Sequence, residues 1–280
     1  MGKVKRSPWV LVTGAASGIG RATAMAFAAT GANLILVDID AVALHEVWVK
    51  IRALGRDCLA RSIDVSDAGA MAELAGWVRE QVEIPALDVL VNNAGIGYLG
   101  SFLDTPTEAW QRLLAVNLLG VVNGCRAFLP GMLVAGGKRR IVNVASLAGL
   151  VAAPNMSAYA AVKHAVAGLG ESLGLELELA AAQVGVTTVC PGIINTQITK
   201  SRDSLASSID DTQHQRLQAY YARQGVSPEV VADAIVRAVR DERELVLVGP
   251  FAKPIYHLRR VSRRLAQRLV LRDARSAGYI

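Results

Sequence analysis

Tyr159 and Lys163 stand four residues apart in Tyr159-Ala160-Ala161-Val162-Lys163, within a stretch rich in Ala, Leu and Glu. A helix presents residues at that spacing on one face, so a phenol and an ammonium lie side by side. For the phenol to act as a base near neutrality its pKa must fall about three units from a reference of about 10, which costs roughly 4 kcal/mol. Two unit charges about 4 Å apart interact by about that amount at an effective dielectric of about 20. Lys163 is therefore sufficient, with help from a second nearby positive charge, to make Tyr159 a general acid or base. The same pair also occurs on helix surfaces with no chemical role. Ser146 ends Asn143-Val144-Ala145-Ser146, thirteen residues before Tyr159. A hydroxyl there can donate to a carbonyl or alkoxide and hold it against the phenol, or it can simply cap the next helix.

A second constellation lies near the start, in Thr13-Gly14-Ala15-Ala16-Ser17-Gly18-Ile19-Gly20. Small residues between a strand and a helix let a pyrophosphate approach the backbone, and the helix N-terminus offers free N–H groups and a favourable dipole. Asp38 follows the turn by about twenty residues, where dinucleotide folds place the acid that faces the adenosine ribose. A carboxylate there repels a 2′-phosphate, so the expected cofactor is NAD. Read alone, the turn is also compatible with a tight connection, and Asp38 with an ordinary strand-end acid. Arg21 is the nearby cation that would blur the preference.

These residues need a frame, and the hydrophobic pattern supplies one. Short apolar, β-branched runs recur at residues 9–13, 33–38, 58–64, 88–92, 140–145, 185–190 and 245–249. Runs such as Leu34-Ile35-Leu36-Val37 do not alternate with polar residues, which suits strands covered by helices on both faces of a parallel sheet. Stretches such as 20–30 and 158–180 read as the intervening helices. The expected fold is a single-domain α/β structure, a Rossmann-like doubly wound sheet of seven parallel strands with right-handed crossovers. Its strand ends would bring Gly14, Asp38 and Ser146 to one edge. Residues 201–218 are polar and are expected to be a loop or short helices.

At 52% hydrophobic and 19% charged residues, the chain has enough apolar material to bury such a sheet and is not disordered. Cys58, Cys125 and Cys190 are widely spaced, which gives no metal motif and suggests reduced thiols in a cytoplasmic protein. The apolar run after the basic N-terminus is too short for a signal-peptide core, and no window offers about 18 uninterrupted apolar residues. Residues 251–280 carry a net +7 and residues 1–250 a net −1. The basic character therefore belongs to a tail, and nucleic acid is not an expected partner.

Taken together, TGxxxGxG, Asn92-Asn93-Ala94-Gly95, Asn117, Ser146, Tyr159 and Lys163 occur in the order and spacing of the short-chain dehydrogenase/reductase family, which the chain resembles over residues 8–250. The resemblance implies that Asn117, Ser146, Tyr159 and Lys163 form a catalytic tetrad, with Asn117 holding a water that links Lys163 to solvent. It implies cofactor contacts from Gly14, Ser17, Gly18, Ile19, Gly20, Asp38, Asp64, Val65, Asn92, Ala94 and Gly95. Tyr159 and Lys163 join them, as do Pro191, Gly192, Ile194 and Thr196, which resemble the segment that binds the nicotinamide amide. NADP-preferring relatives usually carry a basic residue where this chain has Ser17 or Ile39. Ser146 and Tyr159 would also bind the substrate, and a homo-oligomer, dimer or tetramer, is implied through helices at 108–134 and 158–180.

The implied activity is hydride transfer between NAD and a carbon bearing an alcohol or ketone. A non-catalytic NAD-binding regulator of the same fold is the alternative, and an intact tetrad argues against it. A lyase or epimerase would need a different glycine turn and a larger C-terminal substrate domain. Segments 147–157 and 96–102 are mostly apolar and small, which fits a hydrophobic alcohol or ketone, although core packing would use the same residues. Residues 1–250 read as the NAD-binding catalytic domain and 251–280 as a basic amphipathic extension. In that extension a helix over 254–272 would align Leu258, Val261, Leu265 and Leu269. It either lies on an anionic membrane surface or packs on the domain or a neighbouring subunit with its arginines solvated.

Overall fold

The computed structural model describes residues 6–81, 86–196 and 201–277. All seven expected strands form: β1 (Trp9–Thr13), β2 (Asn33–Asp38), β3 (Cys58–Ser62), β4 (Val89–Asn92), β5 (Arg139–Val144), β6 (Val184–Pro191) and β7 (Leu245–Val248). Strand β3 stops before its expected end because Asp64 turns the chain, accepting the Ser66 N–H at 2.9 Å and the Ser66 hydroxyl at 2.7 Å. The strands pair in parallel in the order β3-β2-β1-β4-β5-β6-β7. Winding reverses between β1 and β4, and the crevice beyond their carboxyl ends is where such sheets bind ligands.

Strand periodicity divides the core in two. Val10, Val12, Leu34, Leu36, Val142 and Val144 face one cluster with Val231 and Ile235. Helices α1 (Gly18–Ala29), α2 (Ala41–Ala53) and α8 (Pro228–Arg240) cover that side. Leu11, Ile35, Val37, Leu90 and Ile141 face the other cluster, beneath α3 (Ala68–Gln81), α5 (Gly120–Ala135) and α6 (Ser157–Leu179). Between α4 (Thr107–Leu113) and α5 runs a π-helical turn, Leu114–Leu119, that contains Asn117. The continuous stretch Thr107–Ala135 is long and apolar enough to cross a membrane by length and composition. Its Val121, Cys125, Phe128 and Met132 are built into the second core cluster.

The polar stretch after residue 200 holds a short 3₁₀ turn, Arg202–Ser204, and the start of α7 (Asp211–Gln224). A capping box between Asp210 and Gln213 starts that helix. The tail differs from the single helix expected over 254–272. It breaks at Ser262 into α9 (Ala252–Val261) and α10 (Arg263–Ala277). Ser262 has extended backbone, and its hydroxyl accepts the Leu265 N–H at 3.3 Å. Of the expected leucine stripe only Leu258 packs on the domain, against Val151 and Ala266. Ile255, Ala266, Ala274 and Ala277 are buried, whereas Val261, Leu265 and Leu269 are exposed.

Candidate active site

The glycine turn between β1 and α1 tolerates no side chains where it is tightest. Gly14 has φ of +65°, and a Cβ there would stand 2.8 Å from the Ala94 Cα. A Cβ on Gly20 would fall 1.9 Å from the Gly14 carbonyl oxygen, so Gly20 lets helix and turn approach and lies beneath the cleft. Ser17 is the N-cap of α1, yet its side chain makes no capping bond and is exposed. The first turn of α1 thus offers N–H groups to an anion. Thr196 stands over Gly18, with its Cγ2 3.6 Å from a Cβ built there.

Asp38 accepts the Ala16 N–H at 2.9 Å and the Asp40 N–H at 3.0 Å, so the strand-end carboxylate is fixed beside the turn. Ile39 beside it is exposed. Asp64 and Val65 line the same cleft, as do Ile19, Ala94, Gly95, Pro191, Gly192 and Ile194.

One expected contact is corrected. Asn92 is buried inside the sheet and does not reach the cleft. Its amide donates to Asn143 Oδ1 at 2.9 Å and to Cys125 Sγ at 3.5 Å, because the pleat turns it toward α5. The next residue, Asn93, is the one at the turn, donating to the carbonyls of Thr13 at 2.9 Å and Gly14 at 3.3 Å. Thr13 fixes this loop in return, its hydroxyl accepting from Asn93 N at 2.9 Å and Ala94 N at 3.0 Å. Asn117, the residue expected to hold a relay water, is buried beside Gly95. Its carboxamide is spent on the Ile96 backbone, accepting from N and donating to O, both at 2.9 Å.

At the other end of the cleft Tyr159 and Lys163 face each other on α6, with Lys163 Nζ 5.9 Å from the phenol ring centroid. Ser146 begins the 3₁₀ turn Leu147–Gly149, accepting the Ala148 N–H at 3.1 Å, and it also hydrogen-bonds the Tyr159 phenol. The cap and the proton partner are one residue. Lys163 is buried and donates to the Val144 carbonyl at 3.0 Å. Burial pulls its pKa down to about 8, with nearby Cys190 acting in the opposite sense.

Burial also pushes the Tyr159 phenol up to about 12, which the Ser146 hydrogen bond only partly offsets and Tyr221 reinforces. At this distance Lys163 alone does not outweigh desolvation of the phenolate. Gly95 is the third member of this corner. A Cβ on it would stand 2.6 Å from Asn117 Oδ1 and 3.5 Å from Lys163 Nζ.

Both ends belong to one cavity of about 1450 Å³. Ligand pockets are commonly about 300–1,000 Å³, so this one has room for a dinucleotide and a second molecule. Its outer wall comes from Tyr220 and Tyr221 of α7, Leu258 of α9, and Leu269, Val270 and Asp273 of α10. The Tyr220 hydroxyl donates to Asp273 at 2.6 Å and ties α10 to α7. Sequence reading missed these wall residues because nothing in residues 211–224 or 251–277 matches a motif, and only the packing of α7 and the tail against the cleft brings them there. Among the described residues no cluster of His, Cys, Asp and Glu could hold a metal, and the three cysteines are free and buried.

Residues 8–206 match the model of the short chain dehydrogenase family. The chain belongs to that family. It is 42% identical over 256 residues to EphD of Mycobacterium tuberculosis, covering 90% of this chain but 43% of EphD, so it spans less than half of that relative. It is 40% identical over 199 residues to the 2-(R)-hydroxypropyl-CoM dehydrogenase of Xanthobacter autotrophicus, covering 69% of this chain and 76% of that one. A Burkholderia phymatum short chain dehydrogenase/reductase solved in complex with NAD superposes with a TM-score of 0.84 at 31% identity, covering 95% of this chain and 96% of that one. This family of oxidoreductases accounts for the seven-stranded fold.

Proposed function

We propose that the protein is an NAD-dependent oxidoreductase that interconverts a hydrophobic secondary alcohol and its ketone. One observation carries this reading: Tyr159, Ser146 and Lys163 converge at one end of a cleft whose other end holds the uncapped glycine turn and Asp38. Gly14, Ser17, Gly18 and Ile19 would hold the pyrophosphate, and Asp38 the adenosine ribose. Asp64 and Val65 would flank the adenine, with Ala94, Gly95, Pro191, Gly192, Ile194 and Thr196 along the rest of the dinucleotide. NAD, when bound, supplies the hydride acceptor.

Tyr159 takes the alcohol proton at its phenolic oxygen or returns it to the ketone oxygen. Ser146 donates to the substrate oxygen and keeps it against the phenol. Lys163 holds positive charge behind Tyr159, and Asn117 fixes the Ile96 peptide beside it. Residues 1–250 carry this chemistry, and tail residues between Phe251 and Ser276 complete the substrate wall. A fixed Asp38 with Ile39 beside it favours NAD over NADP. The apolar wall supports a hydrophobic substrate, and the Xanthobacter relative is named for a secondary alcohol. Exposed Leu133, Val134, Leu175 and Leu179 on α5 and α6 suit pairing with further copies of the chain. Buried free thiols suit a reducing, cytoplasmic setting.

A panel of apolar secondary alcohols assayed for NADH formation tests the reading. Turnover that rises with the apolar area of the alcohol supports it. NAD binding without turnover on any alcohol or ketone would leave a non-catalytic binding protein.

A further inference from the structure

The tail has two apolar aspects, and packing on the domain uses only one. In α10, Ala266, Val270, Ala274 and Ala277 turn inward onto α7 and the residues around Val151. At 100° per residue the opposite side carries Arg264, Arg268, Arg272 and Arg275, bordered by Leu265 and Leu269 on one edge and Leu271 on the other. Leu265 and Leu269 are each 48% exposed, and Val261 at the corner before α10 is 86% exposed. The only acid of the tail, Asp273, is turned inward to the Tyr220 hydroxyl. Among the described residues no carboxylate pairs with Arg263, Arg264 or Arg268. The outward side is therefore wholly basic and edged with aliphatic residues, while the rest of the chain is near neutral.

We propose that this side of α10, with the Val261 corner, is a docking face for an anionic lipid bilayer. Guanidinium groups meet lipid phosphates while their stems and the bordering leucines enter the interface. Duplex nucleic acid would satisfy the arginines but leave Val261, Leu265 and Leu271 in water. Leu269 and Arg272 also line the cleft, so docking sets its mouth against the lipid. Entry of a lipid-like alcohol by that route rests on the proposed reaction, whereas docking itself does not.

Cosedimentation of the full chain with phosphatidylcholine vesicles, with and without phosphatidylglycerol, is the test. Val261→Glu/Leu265→Glu and Arg264→Glu/Arg268→Glu are run alongside, because none of these four residues lines the cleft. Binding is expected only to the phosphatidylglycerol vesicles, to weaken with salt, and to fall at least about tenfold in each double variant. Thermal unfolding and light scattering report whether the variants stay folded, and NAD binding reads the proposed cofactor site separately. Wild-type protein that is folded but does not pellet overturns the proposal. Binding that survives both double variants overturns the assignment of the face. Loss of an oligomer in Val261→Glu/Leu265→Glu, without wild-type vesicle binding, assigns the face to a second copy instead.

Discussion

Lys163 Nζ lies 5.9 Å from the centre of the Tyr159 ring and donates its hydrogen bond to the Val144 carbonyl and not to the phenol. Lys163 is buried and Tyr159 half-buried, and desolvation drives their pKa values in opposite directions, to about 12 for Tyr159 and about 8 for Lys163. Each is shifted toward its neutral form. The proposed acid–base role therefore calls for further positive charge beside the phenol.

Stability should record the burial of Lys163. Its pKa is about 8 in the fold against 10.5 in the free side chain, so the unfolded chain binds more protons between those values. Stability of wild type relative to Lys163→Met is therefore expected to rise between about pH 8 and 10.5, by on the order of 3 kcal/mol. Below about pH 8 the difference should be flat. Urea unfolding of both proteins across that range measures it, and a difference independent of pH would show that the ammonium is solvated.

Tyr159→Phe should abolish turnover and keep NAD affinity within a few fold, since the ring packs alike and only the titrating proton is lost. In wild type, NAD binding should bring tyrosinate absorbance down from the pH of about 12 that burial imposes. A difference spectrum against Tyr159→Phe isolates that residue. Unchanged titration on NAD binding would remove electrostatic tuning from the mechanism.

Asp38→Ala should narrow the preference for NAD over NADP by removing a charge that repels the 2′-phosphate. It should also weaken both cofactors, because the Ala16 and Asp40 N–H groups lose their acceptor. Asp38→Asn keeps an acceptor and should lose less affinity overall. Isothermal titration with the two cofactors separates these effects, and a wild type that prefers NADP contradicts the role given to Asp38.

Gly95→Ala is expected to reduce kcat at least about tenfold while the fold survives, because a Cβ 2.6 Å from Asn117 Oδ1 forces the Ile96 clamp and the Lys163 corner to shift. Steady-state kinetics with a circular dichroism control would show it. Normal kcat would mean that Asn117 and Lys163 tolerate displacement.

The sequence by itself determined the seven strands, the parallel sheet and the positions of the turn and of Tyr159 and Lys163. All of these follow from local periodicity and from spacing along a single element. It also marked Ser146, whose hydroxyl caps the 3₁₀ turn and bonds the Tyr159 phenol. Tertiary structure decided everything that depends on which way a side chain faces at the edge of the sheet. It sent Asn92 into the core and Asn93 to the turn, since adjacent residues at a strand end point to opposite faces. It made desolvation the largest influence on the Tyr159 phenol. It also chose the small-residue side of α10 for packing and left the leucines and arginines outside, because a helix this close to the domain fits alanine against its neighbours.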